Sequence, residues 1–200
     1  MMGSIYLVED DDGLRKALAT YLTSRGWEVQ AFRSGDDFVS VPIALTPSVV
    51  VTDVNLPGMS GLELQEKKRE TCRPVPFVFI SGAMSVTDGI EAMKGGAIEF
   101  LVKPVDPARL AAAIEQALLI DSESVLGQQR LAGLASQMDG LSPRERQVHA
   151  LLVRGANNTQ IMDALGVSIY TAKQYKSEVL RKFGVSNLAD LIDASDPDLG

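Results

Sequence analysis

The sequence has few of the residues that mark secreted, disulfide-rich or metal-rich proteins. Its 200 residues include one cysteine, Cys72, and one histidine, His149. One cysteine excludes an internal disulfide framework and is typical of a reducing compartment, and neither residue has a second ligand for a zinc site. No stretch approaches the roughly 18 apolar residues of a membrane span. The acidic N-terminal segment lacks the basic region of a signal peptide, so we predict a cytoplasmic protein without membrane contact.

Charge is distributed unevenly, although the whole chain carries a net charge of −7. Residues 1–120 contain 11 Lys and Arg against 16 Asp and Glu, which gives −5. Residues 141–186 contain 7 basic residues against 3 acidic ones, which gives +4. Opposite net charges in two segments favour two domains with different partners.

The first 120 residues alternate short β-rich apolar runs with amphipathic segments. The predicted strands are Ser4–Val8, Val29–Phe32, Val49–Thr52, Pro76–Ile80 and Ile98–Val102. The predicted helices lie near Gly13–Arg25, Gly35–Val39, Gly61–Glu70, Val86–Gly95 and Pro107–Leu119. Strict alternation predicts an α/β domain with a five-stranded parallel sheet covered on both faces. Continuous valine and isoleucine runs suit strands buried on both sides, and right-handed crossovers favour a doubly wound sheet.

The pattern beyond this domain is purely helical. It stays helical from Pro107 to about Met138, although Gly127 and Gly133 permit a break, so residues 121–140 are predicted to form a helical linker. After Gly140 the strand signals disappear, and residues 141–200 are predicted to form a small all-α domain. Its four helices begin at predicted caps, which are Ser142, Asn157, Ser168 and Ser186.

Carboxylates follow two of the predicted strands. Strand one ends in Glu9-Asp10 and strand three ends in Asp53. Ligands of an open α/β sheet bind beyond the carboxyl ends of its strands, so these acids should lie together. Without a cation they would repel one another and raise one another's pKa. Oxygen ligands favour Mg²⁺, so we predict Mg²⁺, or Mn²⁺, at this position.

Polar residues at two further strand ends suit a phosphoryl group. Strand four ends in Ser81, and Lys103 follows strand five. A hydroxyl and an ammonium facing a carboxylate–metal site can stabilise phosphoryl oxygens, and an aspartate can be the nucleophile. A single aspartate at a strand end is usually a cap or turn former, which we predict for Asp11 and Asp12. The combination predicts phosphoryl transfer onto Asp53.

The segments YLVEDDDGLRKAL, VVVTDVNLPGMSGLEL, FVFISGAM and AIEFLVKPVDPARL closely resemble the receiver domain of two-component response regulators, over about residues 3–120. The resemblance implies the flavodoxin-like strand order 2-1-3-4-5 and a sensor histidine kinase that phosphorylates Asp53. The metal ligands it implies are Glu9, Asp10, Asp53 and the backbone carbonyl of Asn55. Lys103 would be the phosphate partner, and the implied switch pair is Ser81 and Phe100. Glu9 and Ser81 stand where Asp and Thr are commoner, and both keep the required chemistry.

Other phosphate chemistries fit this sequence less well. A flavin or Rossmann site needs a Gly-rich or Ser/Thr-rich loop after strand one, where this chain has acids. Phosphatases with a nucleophilic aspartate usually have a second Asp two residues later, which is Asn55 here and cannot act as an acid. We therefore predict a phosphoacceptor that loses its phosphate slowly and is not a multiple-turnover enzyme.

The basic segment has the spacing of a helix-turn-helix. Asn158–Leu165 and Ser168–Phe183 are predicted helices separated by Gly166-Val167. The second would enter the DNA major groove, where lysine can read guanine and glutamine can read adenine. Arg181 and Lys182 would contact phosphates. The candidate DNA-binding residues are Thr171, Lys173, Gln174, Tyr175, Lys176, Ser177, Arg181 and Lys182.

Residues 141–192 resemble the LuxR-type DNA-binding domain of NarL/FixJ response regulators. The resemblance implies a transcription regulator that binds double-stranded promoter DNA, forms a homodimer on phosphorylation and contacts RNA polymerase. Tyr175 stands where that family commonly has histidine, so target preference could differ. The alternatives are an interaction module whose C-terminal helices bind protein, and a hydrolytic enzyme.

Overall fold

The computed structural model describes residues 3–71, 73–82 and 86–195, so Cys72 lies outside the described residues. The chain divides into two compact units, Met1–Val125 and Leu126–Gly200. The strands are β1 Ser4–Val8, β2 Glu28–Phe32, β3 Ser48–Asp53, β4 Phe77–Ser81 and β5 Ala97–Val102. The helices are α1 Asp12–Ser24, α2 Gly35–Val39, α3 Gly61–Thr71, α4 Val86–Lys94, α5 Pro107–Asp139, α6 Pro143–Val153, α7 Asn158–Leu165, α8 Ile169–Phe183 and α9 Leu188–Ser195.

The first unit contains the predicted doubly wound sheet. All four strand pairings are parallel, and the order is β2-β1-β3-β4-β5. Every residue of β1, β3 and β4 is buried, as expected for strands covered on both faces. The edge strand β2 differs, because only Val29 and Phe32 of its five residues are partly buried. The predicted fold class is confirmed, with the central strands as its buried layer.

Each face of the sheet packs against its own hydrophobic cluster. On one face, Leu22 of α1 and Ile114 of α5 pack against β1 and β3 residues such as Ile5. On the other face, Phe38 of α2 and Leu64 of α3 join Tyr6 and its neighbours. These two layers fix the central strands, so the positions of their carboxyl ends are well determined.

Helix α5 continues without a break for 33 residues, from Pro107 to Asp139. Gly127 and Gly133, where the sequence permitted a break, both lie inside it, and a Cβ at either would meet no atom within 4 Å. These glycines therefore destabilise the helix only through their low helix propensity, and the helix continues through both of them. Neither α5 nor any other described helix is long and apolar enough to cross a membrane.

The second unit is all-helical in its described residues, with a core that includes Val148, Ile161 and Val179. Ser142, Asn157 and Ser168 cap α6, α7 and α8 as predicted. The fourth predicted cap, Ser186, is wrong by one residue. Asn187 Oδ1 accepts the backbone N–H of Asp190 at 2.9 Å, because its side chain stands three residues before that donor.

Candidate functional site

An acidic cluster lies at the carboxyl ends of two neighbouring strands. β1 pairs with β3 so that Val8 lies beside Thr52, which brings the next residues, Glu9 and Asp53, together. Ligand oxygens of Glu9, Asp10 and Asp53 lie within 4.8 Å of one another. Glu9 is 1% and Asp53 6% exposed, whereas Asp10 remains accessible to solvent. The strand order therefore builds the predicted cluster.

Lys103 joins the two buried acids. Its Nζ lies 2.5 Å from Asp53 Oδ2 and 2.8 Å from Glu9 Oε2. Burial lowers the pKa of Lys103, but its hydrogen bonds to Asp53 and Glu9 outweigh that effect and raise it. Burial also raises the pKa of Glu9, against the opposing contact with Lys103. An ammonium that stays charged is thus placed against the candidate acceptor carboxylate.

The loop after β3 folds back over Asp53. The backbone N–H of Asn55 donates to Asp53 Oδ1 at 2.8 Å, and Asn55 Nδ2 donates to Ser81 Oγ at 3.4 Å. Gly61 N–H donates to Val54 O at 3.0 Å. A Cβ on Gly61 would lie 2.3 Å from the Asp53 carbonyl oxygen, closer than any side chain permits. Gly61 is therefore needed for this close approach, a role that the sequence analysis missed.

Ser81 and Phe100, the predicted switch pair, lie on neighbouring strands. Ser81 is the fully buried last residue of β4. Phe100 is half-buried on β5 and stacks on Phe79, with ring centroids 6.1 Å apart. The backbone N–H of Lys103 donates to Ser81 O at 2.8 Å. Ser81 is thus connected to both Asn55 and Lys103, which each donate a hydrogen bond to the Asp53 carboxylate.

Arg15 is a further residue at this site that the sequence analysis missed. Its Nη1 donates to the backbone oxygens of Glu9 at 2.7 Å and Asp10 at 3.3 Å, and its Nη2 pairs with Asp12. These contacts fix the backbone of the acidic pair. Its position six residues after Glu9, in the first helix, is a weak signal that motif comparison alone does not identify.

The donor set of the acidic cluster fits a divalent cation. Glu9, Asp10 and Asp53 offer carboxylate oxygens only, which Mg²⁺ prefers, and bound Mg²⁺ usually keeps several waters. The accessible Asp10 side leaves room for those waters. The residues therefore fit the predicted ion.

Helix α8 separates a buried face from an exposed one. Ala172, Val179 and Phe183 are buried. Of the candidate DNA-binding residues, the exposed ones are Lys173, Gln174, Ser177 and Arg181, and the partly buried ones are Thr171, Tyr175, Lys176 and Lys182. The structure thus presents four of the eight side chains fully to solvent.

Some candidate DNA-binding residues make packing contacts or ion pairs with other residues of the second unit. Tyr175 packs against its hydrophobic core. Lys182 Nζ lies 2.8 Å from Glu145 Oε2 and 3.0 Å from Gly140 O. Arg181 is paired with Glu178 at 2.5 Å but stays exposed. Lys182 therefore has less freedom than Arg181 to reach a phosphate.

Comparison with known proteins finds a family for each unit. Residues 5–115 match the response regulator receiver domain, and residues 139–195 match the bacterial regulatory proteins of the luxR family. The chain is 36% identical over 192 residues to Nodulation protein W of Bradyrhizobium diazoefficiens, covering 96% of this chain and 85% of that protein. It is 33% identical over 190 residues to the transcriptional regulatory protein FixJ of the same species, covering 95% and 93%. The solved structure of the response regulator StyR matches with a TM-score of 0.87 and 34% identity, over 96% of this chain and 97% of that chain.

Proposed function

Because this chain belongs to the NarL/FixJ family of two-component response regulators, we propose that a sensor histidine kinase phosphorylates Asp53 and thereby controls binding to promoter DNA. The observation that carries the proposal is the contact of Lys103 with both Asp53 and Glu9. That contact places a charged ammonium where a new phosphoryl group would need one.

In the proposed transfer, a carboxylate oxygen of Asp53 bonds to phosphorus while the bond from phosphorus to the kinase histidine nitrogen breaks. The Asn55 N–H holds Asp53 Oδ1 and so orients the carboxylate. Lys103, already within 2.5 Å of Asp53 Oδ2, would move its ion pair to the phosphoryl oxygens. Mg²⁺ or Mn²⁺ bound by Glu9, Asp10, Asp53 and the Asn55 carbonyl would supply further positive charge.

Phosphorylation would then bias a two-state element, as in other receiver switches. Ser81 Oγ would exchange its contact with Asn55 for a phosphoryl oxygen, and the half-buried Phe100 ring would repack beside it. This change would alter the surface near α4 and β5. We propose that it promotes a homodimer, which binds promoter DNA and contacts RNA polymerase.

For DNA binding we propose that α8 lies in the major groove. Lys173 and Gln174 are exposed on its N-terminal half, where base contacts are made. Arg181, further along, would exchange Glu178 for a DNA phosphate. The match of residues 139–195 to the luxR family supports DNA over a protein partner for these helices. A protein-partner module would bind without the salt dependence typical of DNA.

Phosphoryl labelling tests the acceptor assignment. The protein is incubated with Mg²⁺ and radiolabelled acetyl phosphate, together with Asp53→Asn and the control Asp37→Asn, an exposed acid of α2. We expect label on the wild type and on Asp37→Asn, slow loss of that label, and none on Asp53→Asn. Undiminished labelling of Asp53→Asn would contradict the proposal, and repeated turnover of the phosphodonor would favour a hydrolytic enzyme.

A further inference from the structure

A large aromatic side chain stands exposed in the first turn of α8. Tyr170 is the second residue of the helix and is 69% exposed, the highest value among the exposed large hydrophobic side chains that the structure describes. Single exposed apolar residues are common on protein surfaces, so exposure alone assigns no role. The position of Tyr170 on the helix and its contact with Gln174 do.

Tyr170 begins the outward stripe of α8. Gln174, Ser177 and Arg181 follow it at i+4, i+7 and i+11, which place them on one helix face, and all four are exposed. The buried face, with Ala172 and Val179, points the opposite way. Tyr170 therefore stands at the N-terminal end of the surface that this helix offers to a partner.

The direction of the side chain adds to this placement. Side chains on an α-helix lean toward its N-terminus. In a helix-turn-helix, the N-terminal residues of the recognition helix contact base edges. Tyr170 thus projects toward the end of α8 that would lie deepest in the major groove.

The hydroxyl of Tyr170 contacts the side chain of Gln174. Gln174 Nε2 donates to Tyr170 Oη at 3.4 Å. A glutamine amide has two N–H donors and one carbonyl acceptor, so one N–H and Oε1 remain. Those two groups are the pair that recognises adenine, because the N–H donates to N7 and Oε1 accepts from the N6 amino group. The contact with Tyr170 restricts rotation of the amide and leaves this pair available.

We propose that Tyr170 is a positioning residue for sequence recognition, which holds the Gln174 amide so that it reads one adenine in the major groove. This inference rests on the proposed DNA binding. It gives the exposed hydroxyl of Tyr170 a defined partner, Gln174, on the same face of α8.

Selection from a duplex library tests the inference. The full chain, with Mg²⁺ and beryllofluoride, selects from DNA with a randomised central segment, and affinities are then measured for the selected duplex and for its single-base variants. The variants are Tyr170→Phe, Gln174→Ala, the double variant and the control Gln147→Ala, an exposed glutamine of α6. Circular dichroism checks that each variant is folded.

The wild type and Gln147→Ala should prefer adenine at one position by about 5- to 150-fold, the range of a bidentate base contact. Tyr170→Phe should lower that preference by about 2- to 10-fold, the range of one hydrogen bond, with unchanged affinity for unselected duplex. Gln174→Ala should abolish the preference, and Tyr170→Phe should add nothing in that background.

Two outcomes would overturn the inference while leaving DNA binding intact. One is an unchanged adenine preference in Tyr170→Phe. The other is that Tyr170→Phe lowers the affinity for the selected duplex by the same factor in the wild type and in Gln174→Ala. That result would show that Tyr170 contacts DNA independently of Gln174. By contrast, wild-type binding that is insensitive to salt, or absent for every duplex, would overturn the proposed function itself.

Discussion

Glu145 shows how one ionised residue can join two helices of the second unit. Its Oε2 accepts from Ser142 N–H at 2.7 Å, which closes the capping box of α6, and it lies 2.8 Å from Lys182 of α8. The hydrogen bond from Lys182, followed by that from Ser142, lowers the pKa of Glu145 to about 2. The carboxylate therefore stays charged while it caps one helix and pairs with another.

The low pKa of Glu145 predicts that acid destabilises the second unit. The folded pKa of about 2 lies below the ordinary value of 4.5. The stabilisation is therefore present above pH 4.5 and is lost as pH falls toward 2, with a total of at most about 3 kcal/mol. Glu145→Gln should lower the free energy of unfolding at neutral pH and remove this part of its pH dependence. Urea unfolding followed by circular dichroism between neutral and acidic pH measures both effects.

Glu178→Gln is the matched control, because Glu178 is paired with Arg181 on the surface. Exposed pairs contribute about 0–1 kcal/mol, so this variant should unfold nearly as the wild type does. Equal pH profiles for wild type and Glu145→Gln would contradict the role assigned to Glu145.

At the scale of elements, α5 is tied to the sheet at the end opposite the acidic cluster. Arg73 binds both carboxylate oxygens of Asp121, at 2.6 and 2.8 Å, and the Ser48 N–H donates to the same carboxylate at 2.7 Å. Asp121 is 1% exposed. One buried carboxylate therefore connects α5, the start of β3 and the loop before β4.

Breaking this pair should be costly. Removing one partner of a buried ion pair costs about 3–5 kcal/mol, because the other charge stays buried. We expect that loss for Asp121→Ala, measured by urea unfolding with the fluorescence of the buried Trp27. Arg69→Ala, which breaks an exposed pair with Glu66, should cost at most about 1 kcal/mol. A loss from Asp121→Ala as small as that of the control would contradict the assignment.

Helix α5 contains two glycines whose replacement by alanine should stabilise it. Alanine at Gly127 or Gly133 would meet no atom within 4 Å and should stabilise the helix by about 0.5–1 kcal/mol. Gly184, which ends α8 with φ +68°, is the control, and alanine there should destabilise. Urea unfolding, together with hydrogen exchange of α5 peptides, measures the change. A loss of stability from Gly127→Ala would show that this face of the helix is covered.

Some features of the structure could be predicted from the sequence and others could not, for physical reasons. The predicted bounds of the central strands lie within one residue of the observed ones, because continuous runs of Val, Ile and Phe are typical of strands buried on both faces. The acidic cluster was predictable because parallel strands place their carboxyl ends together. The contacts of Asp121 were not, because they join residues distant in sequence through side-chain geometry. The approach at Gly61 was not, because it depends on how the backbone after β3 turns back onto Asp53. The exposure of Tyr170 was missed because an aromatic residue in a helix is usually assigned to the core.

At the scale of the whole molecule, acidic and basic residues are concentrated in different segments of the chain, and the two segments have different proposed functions. The acidic segment 1–120 contains the candidate phosphoacceptor, and the basic segment 141–186 contains α8. Attraction to phosphates explains why a chain with a net charge of −7 can still bind DNA, because binding depends on the local field. The acidic segment 1–120 should reduce the nonspecific affinity of the chain for DNA, because it repels phosphates.

Salt dependence of DNA binding tests this separation of charge. Each phosphate contact contributes about −0.9 to the slope of log affinity against log salt. Arg181→Ala removes a proposed phosphate contact of α8 and should therefore make the slope shallower by about that amount. Lys67→Ala removes the same charge from the exposed surface of α3 and should leave the slope unchanged. Fluorescence anisotropy with one labelled duplex, at several salt concentrations with Mg²⁺ and beryllofluoride, gives the slopes. Equal changes for both variants would mean that net charge of the chain, and not the local field at α8, sets the affinity.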